Sequence, residues 1–149
     1  MINSRKISDL HPKLQAIANT FLMHCKANGI DVIITSTLRD YEAQDALYAI
    51  GRTVKGEVVS AQFPIGRKVT NSKGGESFHN FRVAFDCVPV DSKGHAIWDS
   101  VKLWQEIGQI GIELGLEWGG NFVSFKDKPH FQLTNGLSLK DFQSGKTLQ

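Results

Sequence analysis

Phe81-Arg82-Val83-Ala84-Phe85-Asp86-Cys87-Val88-Pro89-Val90 is the stretch on which the fold turns. Aromatic and β-branched residues dominate it, and Asp91-Ser92-Lys93-Gly94 closes it with a turn, so it reads as a strand. A strand alternates its faces. Arg82, Ala84, Asp86 and Val88 share one side, and Val83, Phe85 and Cys87 the other. Asp86 is then a carboxylate inside a strand otherwise suited to burial on both faces. A buried carboxylate needs a cation, a metal or several hydrogen-bond donors.

Upstream, Leu14, Ile17, Ala18, Phe21, Leu22 and Cys25 recur at helical spacing. They predict a helix over residues 12–28, opened by Pro12 and closed at Asn28-Gly29. Ile30 to Ser36 is short and β-branched, hence a strand. A second helix is expected from about Tyr41 to Ile50, capped by Asp40 and ended by Gly51, with Ala43, Ala46, Leu47 and Ile50 toward the core. Residues 52–78 are dominated by glycine, lysine and serine. So long a connection is usually functional or mobile, and it reads as a surface excursion, with room for short strands, leaning over a site.

Downstream, Ala96-Ile97-Trp98 is a candidate return strand. A third helix is expected from about Ser100 to Leu114, with Val101, Trp104, Ile107, Ile110 and Leu114 on one face and Gly115 as its stop. Pro129 precedes a last strand, His130 to Leu133, and the tail from Thr134 is polar and weakly patterned. Helices set apart from antiparallel-looking strands make the fold class α+β, a small antiparallel sheet flanked by helices in one domain.

The chain has 149 residues, enough to bury roughly 70% of the surface its unfolded form exposes. With 41% hydrophobic and 21% charged residues, collagen, long disorder and coiled coil are excluded. A net charge of +2 is far short of a nucleic-acid-binding surface, though it suits a polyanionic partner such as a cell-wall polymer. No apolar run approaches ~18 residues, so no membrane insertion is expected. Met1 to Lys6 is followed by polar residues rather than an apolar signal core, so synthesis in the cytoplasm without a signal peptide is expected. Cys25 and Cys87 each lie in an apolar stretch and read as buried free thiols.

Two of the five histidines stand in unusual settings. His79 lies at the mouth of the Asp86 strand and can fold over toward the carboxylate. In Asp127-Lys128-Pro129-His130-Phe131-Gln132, Pro129 excludes a helix interior, so Asp127 falls in a turn and His130 opens a strand. Two imidazoles and a carboxylate match the ligand count of a hydrolytic zinc centre, which takes three N/O ligands and keeps a fourth position open. A second carboxylate nearby could take a proton. Each spacing by itself is common by chance, and the alternative is a surface histidine with a salt-bridged aspartate. His11, His24 and His95 read as structural or solvated, and Trp98 and Trp104 as core.

Taken together, the motifs are more specific. Ser77-x-His79 with Asp86, followed by Trp118 and then Asp127-x-Pro129-His130-Phe131, resembles the zinc peptidoglycan peptidases of the LAS group. That group includes D-Ala-D-Ala carboxypeptidases and dipeptidases and the L-alanyl-D-glutamate endopeptidases of phage endolysins. Ser36-Thr37-Leu38-Arg39-Asp40 with Gln44, Leu47-Tyr48 and Gly51-Arg52 resembles the group's upstream segment, as does Leu114-Gly115-Leu116-Glu117-Trp118-Gly119-Gly120. The likeness runs from about Ser4 to Leu133, and the compact length and D-x-P-H ending are most similar to the endolysin branch.

The resemblance implies one Zn2+ per chain held by His79, Asp86 and His130, with Asp127 as general base and Arg39 stabilising the oxyanion or orienting the substrate. Ser77, Gln44 and Trp118 are lesser candidates for substrate contact. The implied partner is the peptide stem of peptidoglycan, the implied bond L-alanyl–D-glutamate. The implied setting is a monomeric lysin that reaches the wall through a membrane lesion made by another protein. One departure is Arg82, where the group usually has glycine. If that position needs positive φ, arginine costs stability there; if extended, Arg82 projects toward the site. Other readings stay open: the same chemistry on a D-alanyl-D-alanine bond, a non-catalytic zinc-containing wall-binding module, or an inert domain whose His and Asp residues merely pair.

Overall fold

The computed structural model describes residues 1–149. Helix α1 spans Pro12–Ala27 and buries Leu14, Ala18, Phe21 and Cys25, the stripe its spacing predicts. His11 caps it, Nδ1 accepting from the Lys13 N–H at 3.1 Å. Strand β1, Asp31–Ser36, follows, and then α2, Tyr41–Ala49, where Asp40 accepts from the Ala43 N–H at 2.8 Å as the expected cap. After the long connection come β2, Ala84–Val90, and α3, Val101–Glu113, capped by Ser100. Two short strands, β3 at Glu117–Trp118 and β4 at His130–Gln132, precede a last helix α4, Leu139–Gln143.

The four strands form one antiparallel sheet in the order β1-β2-β4-β3. Asp86 pairs with His130, Ala84 with Gln132, and Gln132 with Glu117, so these side chains share one face of the pleat. A register shift between Ile34 and Ser36 sets Ser36 opposite Asp86 on that same face. The other face carries Phe85, Cys87 and Phe131 against α1 and α3. Phe21, Phe85 and Phe131 meet there with ring centroids 5.0–5.5 Å apart. Each such ring contributes about 1.5–3 kcal/mol by leaving water. The sheet is therefore greasy on its helix side and chemical on the other.

Several expectations are corrected. The strand starts at Ala84, not Phe81, because Phe78–Phe81 is a 3-10 turn capped by Ser77. Arg82 ends that turn in the left-handed region (φ 65°), and its guanidinium donates to the Asp9 carbonyl at 3.0 Å rather than projecting toward the site. On α2 the buried pair is Ala43 and Gln44, and Ala46 is exposed. Val101 and Trp98 are exposed. No strand forms in residues 52–78, and the return strand reduces to a single bridge between Val90 and Ala96. The tail is not featureless. Phe142 of α4 and Leu148 join the core. Cys25 and Cys87 are buried free thiols as expected, and burial pushes the Cys25 thiol up to about 11. No helix is long and apolar enough to cross a membrane.

Candidate active site

The chemical face of the sheet opens into a cleft of about 800 Å³. Its floor holds His79, Asp86 and His130. Arg39 and Gln44 stand at one side, the 68–72 and 76–78 segments form one wall, and Phe122 with residues 124–127 forms another.

Each functional side chain is placed by local structure. Ser77 Oγ accepts from the His79 N–H at 3.3 Å, and Asn80 accepts from the Gly75 and Ser77 N–H groups. Asn80 also donates to the Arg39 carbonyl at 2.8 Å, tying the His79 turn to the end of β1. Asp86 and His130 face each other across β2 and β4. The Asp127 N–H donates to the Gly119 carbonyl at 2.9 Å and its own carbonyl accepts from the His130 N–H. A Cβ at Gly119 would lie 2.1 Å from the Asp127 carbonyl oxygen, so only glycine permits this approach.

His79 Nε2 lies 3.2 Å from Asp86 Oδ1, and His130 Nδ1 lies 3.3 Å from the same oxygen. The ligand atoms of the three residues all lie within 4.8 Å of one another. The outer ring nitrogens are engaged. His79 Nδ1 is 2.8 Å from the Thr37 carbonyl, and His130 Nε2 is 2.7 Å from Gln132 Oε1. A carbonyl only accepts, so each outer nitrogen carries a proton, and each inner nitrogen, which meets the accepting Asp86 carboxylate, is the one that would exchange its proton for a metal. Two imidazole nitrogens and one carboxylate oxygen, oriented by outer acceptors, are a donor set suited to a catalytic metal with an open position. Two buried polar atoms find no protein partner: Arg39 Nε, on a side chain that lines the cleft, and Thr37 Oγ1, on the residue whose carbonyl meets His79. The residues fit a metal.

The electrostatics are those of a cation site. Burial pushes the Asp86 carboxyl up, but the imidazoles of His79 and His130 outweigh it and hold the group well below the usual carboxylate range. Burial pulls the His130 imidazole down, and its bond to Asp86 more than compensates, leaving it raised. Arg39 is lowered by burial, opposed by the charges of Asp86 and Asp127. Its Nη1 donates to Gln44 Oε1 at 2.8 Å, and its Nη2 to Ser36 Oγ at 3.0 Å and to Asp86 Oδ2 at 3.4 Å. Asp127 Oδ2 stands 4.0 Å from His130 Nδ1 with half its side chain in solvent. The cleft walls raise its carboxyl, with His130 opposing.

Among the residues singled out from sequence, His79, Asp86, His130, Asp127, Arg39, Ser77 and Gln44 all line this cleft. The Gln44 side chain is fully engaged, its amide donating to the Ser72 carbonyl at 2.8 Å while its oxygen holds Arg39. Trp118 does not line the cleft; its indole donates to the Lys128 carbonyl at 2.8 Å. Sequence reasoning passed over Thr37 and Gln132. The Gln132 signal was available: it sits two residues from His130 on a strand, hence on the same face. Thr37 acts through its backbone, which leaves no mark in the sequence.

The family model described as D-alanyl-D-alanine carboxypeptidase matches residues 70–133. The peptidoglycan L-alanyl-D-glutamate endopeptidase CwlK of Bacillus subtilis is 37% identical over 134 residues, covering 85% of this chain and 74% of that protein. Among solved structures, the L-Ala D-Glu endopeptidase ChiX of Serratia marcescens superposes with a TM-score of 0.59 at 21% identity, over 92% of this chain and 86% of that one. The L,D-carboxypeptidase DacB of Streptococcus pneumoniae gives 0.56 at 18% identity, over 93% and 74%.

Proposed function

The chain belongs to the LAS-type peptidoglycan peptidases and is a hydrolase, and from that premise we propose that it is a zinc-dependent L-alanyl-D-glutamate endopeptidase. The observation that carries the metal chemistry is the convergence of His79, Asp86 and His130 with Asp127 beside them. The relative matched over 85% of the chain supports the bond. His79 Nε2, His130 Nδ1 and the Asp86 carboxylate would hold the ion. When bound, zinc supplies Lewis acidity that polarises a carbonyl and makes water more acidic.

The chain's own residues do the rest. Asp127 is half-exposed, its carboxyl is raised by partial burial against the opposing charge of His130, and it stands 4.0 Å from His130 beside the ligand set. It takes the proton of the attacking water and returns it to the leaving amine, the two halves of general acid–base catalysis. Arg39 is held rigidly by Gln44 and Ser36, so its charge faces the developing oxyanion without reorganising. Lys68 and Lys126 on the walls offer counter-charges to the carboxylates of a peptide stem.

The test is digestion of purified sacculi, followed by amino-terminal labelling and mass measurement. New amino termini on D-glutamate with L-alanine left on the glycan are expected. Free D-alanine as the main product would move the protein to a D-alanyl-D-alanine bond, the reading favoured by the description of the matching family model. A role in host lysis, as a phage or prophage endolysin made in the cytoplasm, rests on the motif resemblance alone. Expression should lyse cells only when a membrane-permeabilising protein is made with it; lysis by the enzyme alone overturns that role.

A further inference from the structure

The reach of the site extends beyond the residues that touch the ligand atoms. His130 Nε2 meets Gln132 Oε1 at 2.7 Å inside the protein, with Gln132 only 6% exposed. On its other side the Gln132 amide nitrogen faces Glu117 Oε2 at 3.4 Å. That same carboxylate oxygen accepts from Thr134 Oγ1 at 2.7 Å. Gln132 and Glu117 stand on the chemical face because they pair across β3 and β4, and Thr134, two residues past β4, reaches the same carboxylate.

The chemistry of this row is directional. A carboxylate accepts and never donates. Glu117 therefore forces the Gln132 amide to turn its NH2 outward and its oxygen inward. The inward oxygen holds a proton of His130 on Nε2, so Nδ1, which faces Asp86, is the nitrogen left to give up its proton and coordinate a metal. With an alkyl side chain in place of Gln132, the ring could turn or exchange its proton, and the ligand would be correct in only part of the population.

We propose that Gln132, oriented by Glu117, is a positioning residue that sets the tautomer of His130 and thereby the affinity of the site for its metal. This rests on the metal reading above. Outer partners of ligating histidines typically govern metal affinity by about 10- to 100-fold. Glu117 acts only through Gln132, so its removal matters while the amide is present and not afterwards.

The experiment measures zinc affinity of the purified full-length protein by competition with a chromophoric chelator, with the His130 tautomer read by long-range proton–nitrogen NMR. Gln132→Leu is expected to weaken zinc by about 10- to 100-fold, and Glu117→Gln by less. The double change Gln132→Leu with Glu117→Gln should be no weaker than Gln132→Leu alone. The swap Q132E with E117Q keeps an acceptor toward His130 and a donor behind it, and should return affinity to within a few-fold of the parent. Because Glu117 is exposed, Glu117→Gln and the swap carry the test if Gln132→Leu does not fold. Parent-like affinity in the single variants, additive effects in the double, or failure of the swap to restore binding overturns the role of Gln132 while leaving the metal site standing. A parent protein that binds no zinc removes both readings together.

Discussion

Asp127 and Asp86 carry the same functional group in surroundings that suit them to different work. Asp86 is locked between two imidazoles and a guanidinium, while Asp127 hangs half in solvent from the turn before β4. Asp127→Asn should therefore keep the metal and lose hydrolysis by about 100-fold or more, the scale of general-base catalysis. His79→Ala should lose the metal itself. Equal zinc content in the two variants would falsify this division of labour. Arg82 tests a different cost. A left-handed conformation costs a non-glycine residue about 1–2 kcal/mol, partly offset by the exposed bond to the Asp9 carbonyl and by the stiffer unfolded chain. Arg82→Gly should thus raise stability by up to about 1 kcal/mol, seen as a higher urea midpoint at unchanged zinc content. Asp86 was legible because a carboxylate in an apolar strand demands partners, and His79 and His130 because one lies at the mouth of that strand and the other opens a strand after Pro129. The acceptors behind them were not, since a carbonyl such as that of Thr37 has no side-chain signature.

Helices whose apolar spacing is regular were legible to within a residue or two, as α1 and α3 show. Where sequence spoke less clearly, short capping motifs decided the outcome. Ser77 with Asn80 makes a capping box that starts a 3-10 turn, and the turn takes in Phe81, the first residue of the expected strand. Ser138 with Asp141 does the same for α4, whose five residues are too few to show a period. The glycines of α3 are the sharper case. Gly108 and Gly111 weaken a helix by propensity, yet they let Trp118 and Phe131 lie directly on its backbone. A Cβ on either would come within 2.4 Å of those rings. Propensity alone gives Gly111→Ala a gain of about 1 kcal/mol. Overpacking against Phe131 of β4 should instead cost about 1–3 kcal/mol. Because Phe131 follows His130, activity should fall with stability. A raised unfolding midpoint in Gly111→Ala would mean the helix–sheet approach has room for a Cβ.

The whole molecule separates what holds it together from what it does. The core of Phe21, Phe85, Ile107 and Phe131 lies on the helix side of the sheet, closed from below by Phe142 and Leu148. The ligand set and the cleft lie on the other side. The sequence shows the first half of this plan in the apolar stripes of α1 and α3, and conceals the second, because the long 52–78 connection forms its wall through hydrogen bonds to Gln44 and Asp45 of α2 and from its own Arg52 to Thr70 rather than through any apolar pattern. With no metal ligand in the core, the metal should not be a condition of folding, unlike in a zinc finger. It still binds only the folded state, and a ligand at 100 times its dissociation constant adds about 2.7 kcal/mol. For a domain of this size that corresponds to roughly 5–10 °C in melting temperature. Dialysis against a strong chelator should therefore abolish hydrolysis and lower Tm by roughly that amount, while the far-ultraviolet dichroism at 25 °C stays native. Adding back one equivalent of zinc should restore both. Collapse of the dichroism on chelation would mean that the ligand face, and not the aromatic core, holds the sheet. Activity that persists through chelation would remove the metal from the chemistry altogether.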